Sequence, residues 1–174
     1  MPARRSWVLL VLALLLDTPA RGGAAVDEAA AVRRVLDDQA AAWNRHDLAG
    51  YMAGYWRSEE LTFFGGGAVT RGWQATFDRY RARYQGAGKE MGTLTFADVS
   101  VEIVGPAAAV ARGAWRLQMS DGREPHGLFT LLVRKLPEGW RVVHDHSSSA
   151  PEAEAAPRPA LPEPAAPRSD GPKK

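Results

Sequence analysis

The chain has 174 residues, 45% of them hydrophobic, with 22 lysines and arginines against 20 aspartates and glutamates. That suits one globular domain of ordinary size. With no cysteine it forms neither a disulfide nor a lipid-modified N-terminal cysteine.

Residues 1–25 differ in character from the rest of the chain. Arg4 and Arg5 precede an unbroken apolar run from Trp7 to Leu16, and Pro19, Gly22, Gly23, Ala24 and Ala25 come next. A basic start, a ten-residue apolar stretch and small residues form the pattern of a secretory signal peptide. The run is too short to span a bilayer, which needs about 20 residues. Export is therefore expected, periplasmic or secreted, with cleavage after Ala20 to Ala25 and no membrane association afterwards. Residues 150–174 hold seven of the twelve prolines and one large apolar residue, Leu161. Such a segment buries too little surface to offset its ordering entropy, so a disordered Pro/Ala-rich tail is expected. The domain is then 26–149, where acidic and basic residues number 15 each. A neutral domain offers no electrostatic footprint for nucleic acid or an anionic membrane.

Within the domain, Val26 to Asp47 reads as an amphipathic helix with Val32, Val35, Leu36, Ala40 and Trp43 at helical spacing. Asp47 can cap a shorter helix, Leu48 to Trp56, rich in Tyr51, Met52 and Tyr55. Leu61 to Phe64 is a short strand, and Gly65 to Gly67 is its hairpin turn. Neither a GK[ST] nor a GxGxxG pattern accompanies these glycines, and no cofactor is expected. A third helix spans Trp73 to Tyr84, with Trp73, Phe77, Tyr80 and Tyr84 forming an aromatic stripe. Thr93 to Val104 is a strand whose apolar parity switches between Phe96 and Val99, predicting a bulge. Ala107 to Met119 forms the next strand. A hairpin, GLFTLLVRKLPEGWRVVHDHSSS (Gly127 to Ser149), closes the domain. Helices followed by a meander give an α+β fold: three helices on a strongly bent antiparallel sheet, a cone that encloses a pocket.

Three segments carry a family resemblance: AAAWNRHDLAGYM at the end of the first helix, VTRGWQATFDRY, and the closing hairpin. Over about residues 28–149 the chain resembles the nuclear transport factor 2-like (NTF2-like) superfamily, in its SnoaL-like or DUF4440 branch. The resemblance implies an α+β cone, a deep, largely apolar pocket and a homodimer formed through the open sheet face. It implies no single activity. Ketosteroid isomerase-like members use a pocket Tyr on the first helix and a basic Asp on the first strand. Here those places fall to Gln39 and Phe63, so that chemistry is not expected, nor is the Asp-Arg-Asp set of limonene epoxide hydrolase-like members.

The candidate site follows from alternation on the closing strand. It puts Trp140, Val142, His144 and His146 on one face and Arg141, Val143, Asp145 and Ser147 on the other. His144 and His146 are thus the candidate acid/base pair at the pocket, since imidazole titrates near neutrality. Trp43, Tyr55, Glu59, Phe63, Trp115, His126 and Phe129 are the candidate ligand-binding residues. A metal held by the H-x-H pair with His126 or Glu59 is possible on spacing, but nothing fixes the third ligand, and no metal is expected. Ser147 points away from His146 on an extended strand and lacks a nucleophile elbow. The expected partner is a small apolar or aromatic molecule. Binding leads over catalysis; an isomerase-, cyclase- or hydrolase-like enzyme and an assembly module are the alternatives.

Overall fold

The computed structural model describes residues 21–151. Most of the expected signal peptide and nearly all of the expected tail lie outside the described residues. The elements run α1 (Arg21–Asn44), α2 (Leu48–Met52), β1 (Thr62–Gly65), β2 (Ala68–Arg71), α3 (Trp73–Tyr84), β3 (Thr93–Gly105), β4 (Ala108–Gln118), β5 (His126–Leu136) and β6 (Gly139–Ser147). The three helices pack against one six-stranded sheet of order β2-β1-β6-β5-β4-β3.

Helix α1 buries Val32, Leu36, Gln39 and Trp43, a stripe one helical face wide. Both of its ends are pinned. Near the start, the Glu28 carboxylate accepts from Trp140 Nε1 at 2.7 Å and from Lys135 Nζ, tying the helix to the β5–β6 hairpin. At the end, Trp43 Nε1 donates to Met91 O, and Asn44 exchanges two hydrogen bonds with the Leu94 backbone. Asp47 accepts from Gly50 N and caps α2, which ends at Met52, four residues short of the expected Trp56. The reason is β6: Val142 takes Gly54 and Trp56 as backbone partners, so this segment is drawn out of helix into a strand-like bridge.

The expected hairpin turn is present. Gly66 and Gly67 sit at φ 61° and 74°, the left-handed pair that a two-residue turn requires. Helix α3 has the expected span, and its stripe packs inward, with Trp73 stacked on Phe77 and Tyr80 on Tyr84. The bulge in β3 lies between Ala97 and Ser100, with Asp98 at φ 52°.

Two features correct the sequence expectation. The sheet is mixed rather than antiparallel, because β1 runs parallel to β6, with Thr62 opposite His144 and Phe64 opposite His146. The open edge of β6 is filled by the β1–β2 hairpin, whose direction is set by its approach from α2, a non-local pairing that alternation does not encode. The second correction lies in β6 itself. Leu132 pairs with His144 and Val133 with Val142, so Val143 is an extra residue and the strand carries a bulge. Trp140 and Val142 face the helices as expected. Beyond the bulge the parity reverses: Asp145 is buried, His146 is exposed and His144 is only partly covered.

The turn gives a test of the fold. A Cβ at Gly67 meets nothing within 4 Å, so only backbone strain opposes it. Gly67→Ala should cost about 1 kcal/mol, read as a lower urea midpoint with an unchanged m-value.

Candidate ligand cavity

Inside the cone lies a cavity of about 90 Å³. Trp43, Phe63, Phe96, Trp115 and Phe129 supply its aromatic wall, and Leu94, Leu117 and Leu131 its aliphatic one. Trp43 is held by edge-on contacts with Tyr51 and Tyr84, centroids 4.9 and 4.8 Å apart. Phe96 and Phe129 meet edge-on across the sheet. Gln39 also lines the cavity, its Nε2 donating to Tyr51 O.

The polar heart of the cavity is a chain of side chains anchored on Asp145. Ser147 Oγ donates to Asp145 Oδ1 and Tyr55 OH donates to Oδ2, each at 2.7 Å. Tyr55 OH lies 3.2 Å from Tyr51 OH, and Tyr51 OH lies 3.3 Å from Tyr80 OH. Burial raises the Asp145 carboxyl from its ordinary 3.8 to about 6, against the opposing pull of Ser147, Tyr55 and His146. Burial also pushes the Tyr51, Tyr55 and Tyr80 phenols well above their usual range. The Asp145 charge reinforces that in all three, so they stay protonated near neutrality.

These states fix the direction of the chain. An ionised carboxylate only accepts, so Tyr55 spends its proton on Asp145. Tyr51 must then donate to Tyr55, and Tyr80 to Tyr51. The Tyr80 oxygen is left as an acceptor at the cavity. When Asp145 is protonated on Oδ2 it can donate to Tyr55, the order reverses, and Tyr80 presents its O–H instead. One carboxyl proton therefore decides whether the far end of the chain accepts or donates.

Of the residues expected at the pocket, Trp43, Tyr55, Phe63, Trp115 and Phe129 line it. Glu59 does not: it is exposed, its carboxylate beside Gly72. His126 is exposed on the outer side of β5, its Nδ1 2.9 Å from Glu124 O. His144 and His146 are absent from the lining, because the Val143 bulge turns them to the opposite face. There His144 Nδ1 lies 2.6 Å from Thr62 Oγ1, and its ring meets the edge of Phe64. Burial, then His146, lowers the His144 pKa. Among the described residues no three His, Asp or Glu side chains are placed to share a metal ion.

Alternation placed Asp145 on the face opposite the candidate pair, and Tyr51 and Tyr80 stood only as aromatic residues of their helices. The available signals were the adjacent β-branched pair Val142–Val143, which breaks alternation, and the i, i+4 spacing of Tyr51 with Tyr55 and Tyr80 with Tyr84.

A family profile described as the SnoaL-like domain matches residues 32–152. An NTF2-like protein of unknown function from Shewanella oneidensis is 36% identical, and the match covers 68% of this chain and 97% of that one at a TM-score of 0.63. An NTF2-like superfamily protein from Salmonella enterica shares 20% identity over 76% and 97% of the two chains, TM-score 0.62. A ketosteroid isomerase-like protein from Erwinia carotovora shares 18% over 71% and 96%, TM-score 0.57. At those identities the last two show the fold alone. No curated protein matches.

The raised carboxyl yields a pH test. The folded state holds the Asp145 proton more tightly than the unfolded chain does. That stability is fully present below about pH 4 and is lost as pH rises through about 6. Relative to Asp145→Asn, the wild-type protein should lose on the order of 2–3 kcal/mol between pH 4 and 7.5. Urea unfolding of both proteins across that range measures it, and a flat difference would place the carboxyl outside the cone.

Proposed function

From a chain that belongs to the SnoaL-like domain family of NTF2-like α+β cones, we propose that it binds a small, largely apolar or aromatic molecule in its cone. One observation carries this reading: an aromatic-walled cavity with a single buried carboxylate and a tyrosine chain at its base. Aromatic walls supply affinity through area and ring contacts, and a few convergent polar groups supply orientation. The ligand's ring lies against Trp43, Phe63 and Phe129, and its polar group completes the open end of the tyrosine chain.

The position of Asp145 favours a second reading, acid/base turnover of the bound molecule. A carboxyl that titrates near 6 inside a largely apolar cavity is poised to exchange a proton near neutral pH. In this reading Asp145 takes the acid/base role that alternation alone assigns to His144 and His146, which do not line the cavity.

Two further features belong to the proposal. The residues ahead of the domain support export, and cleavage anywhere from Ala20 to Ala25 leaves Glu28 and the buried face of α1 intact. A homodimer through the outer sheet face is supported by Leu128 and Leu132, exposed by 65% and 37% on β5.

Native mass spectrometry of protein recovered from an exporting host tests these points together. The expected species is a dimer of chains beginning between Arg21 and Val26, carrying a small-molecule mass that is lost on denaturation. An empty species that also fails to bind aromatic probes by ligand-observed NMR would contradict the binding reading. A monomer would contradict the dimer, and an unprocessed chain the export.

A further inference from the structure

We propose that the ligand class of this cavity is an aromatic carboxylate of one ring, its anionic head held by Arg79 and Arg83 at the mouth; the proposal rests on the binding reading above. Four observations converge on it.

The first is placement. Arg79 and Arg83 sit one turn apart on α3 and both line the cavity, as do Tyr80 and Tyr84 beside them. The exposed members of the lining, Gly66, Arg83 and Ser149, mark its mouth, whereas Tyr55, Phe129 and Asp145 are buried deep inside. The cations therefore stand at the solvent end and the aromatic wall continues inward.

The second is preorganisation. Arg79 Nη2 donates to Gly65 O at 2.8 Å and Nη1 to Thr70 Oγ1 at 3.2 Å, so the β1–β2 hairpin holds the guanidinium. Its central carbon lies 5.1 Å from the centre of the Phe63 ring. Two of its five N–H groups are used by those bonds and three remain. A planar fork already fixed over a cavity-lining ring loses little entropy on meeting a planar carboxylate.

The third is the absence of a counterion. Among the described residues neither Arg79 nor Arg83 has a carboxylate within ion-pair distance. Asp78, the one acidic residue on α3, is taken by Arg81 at 2.9 Å. Asp145, the one acidic residue of the lining, already accepts from Ser147 and Tyr55 at the inner end. The mouth thus carries a local positive charge on a domain whose overall balance is neutral, which points to a bound anion rather than to long-range steering.

The fourth is size. The cavity of about 90 Å³ is smaller than the roughly 150 Å³ engineered cavity that admits benzene. That size excludes a fused polycycle, and a single ring enters only if the walls or the mouth widen around it. The carboxylate must then point outward through the mouth, toward the arginines. A hydroxyl at the other end of the ring would donate to the Tyr80 oxygen, the acceptor left open while Asp145 is ionised.

Isothermal titration at pH 7.5 with 4-hydroxybenzoate and the isosteric neutral 4-hydroxybenzamide tests the proposal. The acid should bind at least about tenfold more tightly. Arg83→Gln should erase about tenfold of the acid's affinity and leave the amide's unchanged. Arg79→Lys keeps the charge but loses the fork, and should weaken the acid by a similar factor. Thermal unfolding confirms that each variant is folded; should Arg79→Lys fail this check, the exposed Arg83 decides alone. Equal binding of acid and amide, or acid binding indifferent to Arg83, overturns the anionic head while leaving the aromatic cavity standing. Failure of both probes to bind overturns this ligand class, and the binding reading falls with it only if the protein recovered from its host is also empty.

Discussion

One extra residue in the last strand determines what the interior of this cone contains. Val143 opens a bulge in β6, and beyond it the side chains that point inward are Asp145 and Ser147 instead of His144 and His146. Burying a carboxylate is costly unless it is hydrogen-bonded. Ser147 and Tyr55 meet that need directly, and Tyr51 and Tyr80 extend the network to the helices. The carboxyl still titrates high, so burial outweighs its partners. A strand from the end of the chain, the segment after α2 and the middle of α3 are thereby joined through four hydroxyls and one acid. Nothing in the apolar core, however well packed, would set this directionality.

Much of the frame was legible in the sequence because it rests on local periodicity. The spacing of Val32, Leu36 and Trp43 marks the buried face of α1. The stripe from Trp73 to Tyr84 delimits α3, and the glycines after Phe64 mark a turn that needs left-handed residues. Even the β3 bulge showed, because the apolar parity of Phe96 and Val99 conflicts. The β6 bulge was hidden by composition. Trp140, Val142, His144 and His146 form a complete alternating face, and the adjacent valines were the one local sign that it breaks. The parallel pairing of β1 with β6 was also hidden, since it joins residues about 80 positions apart with no local signature. Errors in the candidate site follow from these two non-local facts: the imidazoles moved outside, and the acid moved in.

The cavity shows why family membership leaves the activity open. The cone is shared with relatives as dissimilar as 18–20% identity, but its chemistry depends on a handful of inward side chains. Here Gln39 occupies the inner face of α1 and Phe63 that of β1, while the charged groups come from α3 and β6. An acid at the deep end, arginines at the mouth and aromatic walls between them make the cavity polarised. The outer face of the same sheet carries Leu128, Leu132, Phe64 and the two histidines, so one bulge distributes polar residues to both sides at once.

Carbon-13 NMR of the side-chain carboxyls, with aspartate labelled at that carbon and Asp145→Asn used for assignment, reports most directly on that buried acid. The Asp145 resonance should titrate with a midpoint near 6, well separated from the exposed aspartates. A midpoint at the ordinary carboxylate value of about 3.9 would mean that burial does not act on Asp145, and the polarised cavity built on a buried acid would fall with it.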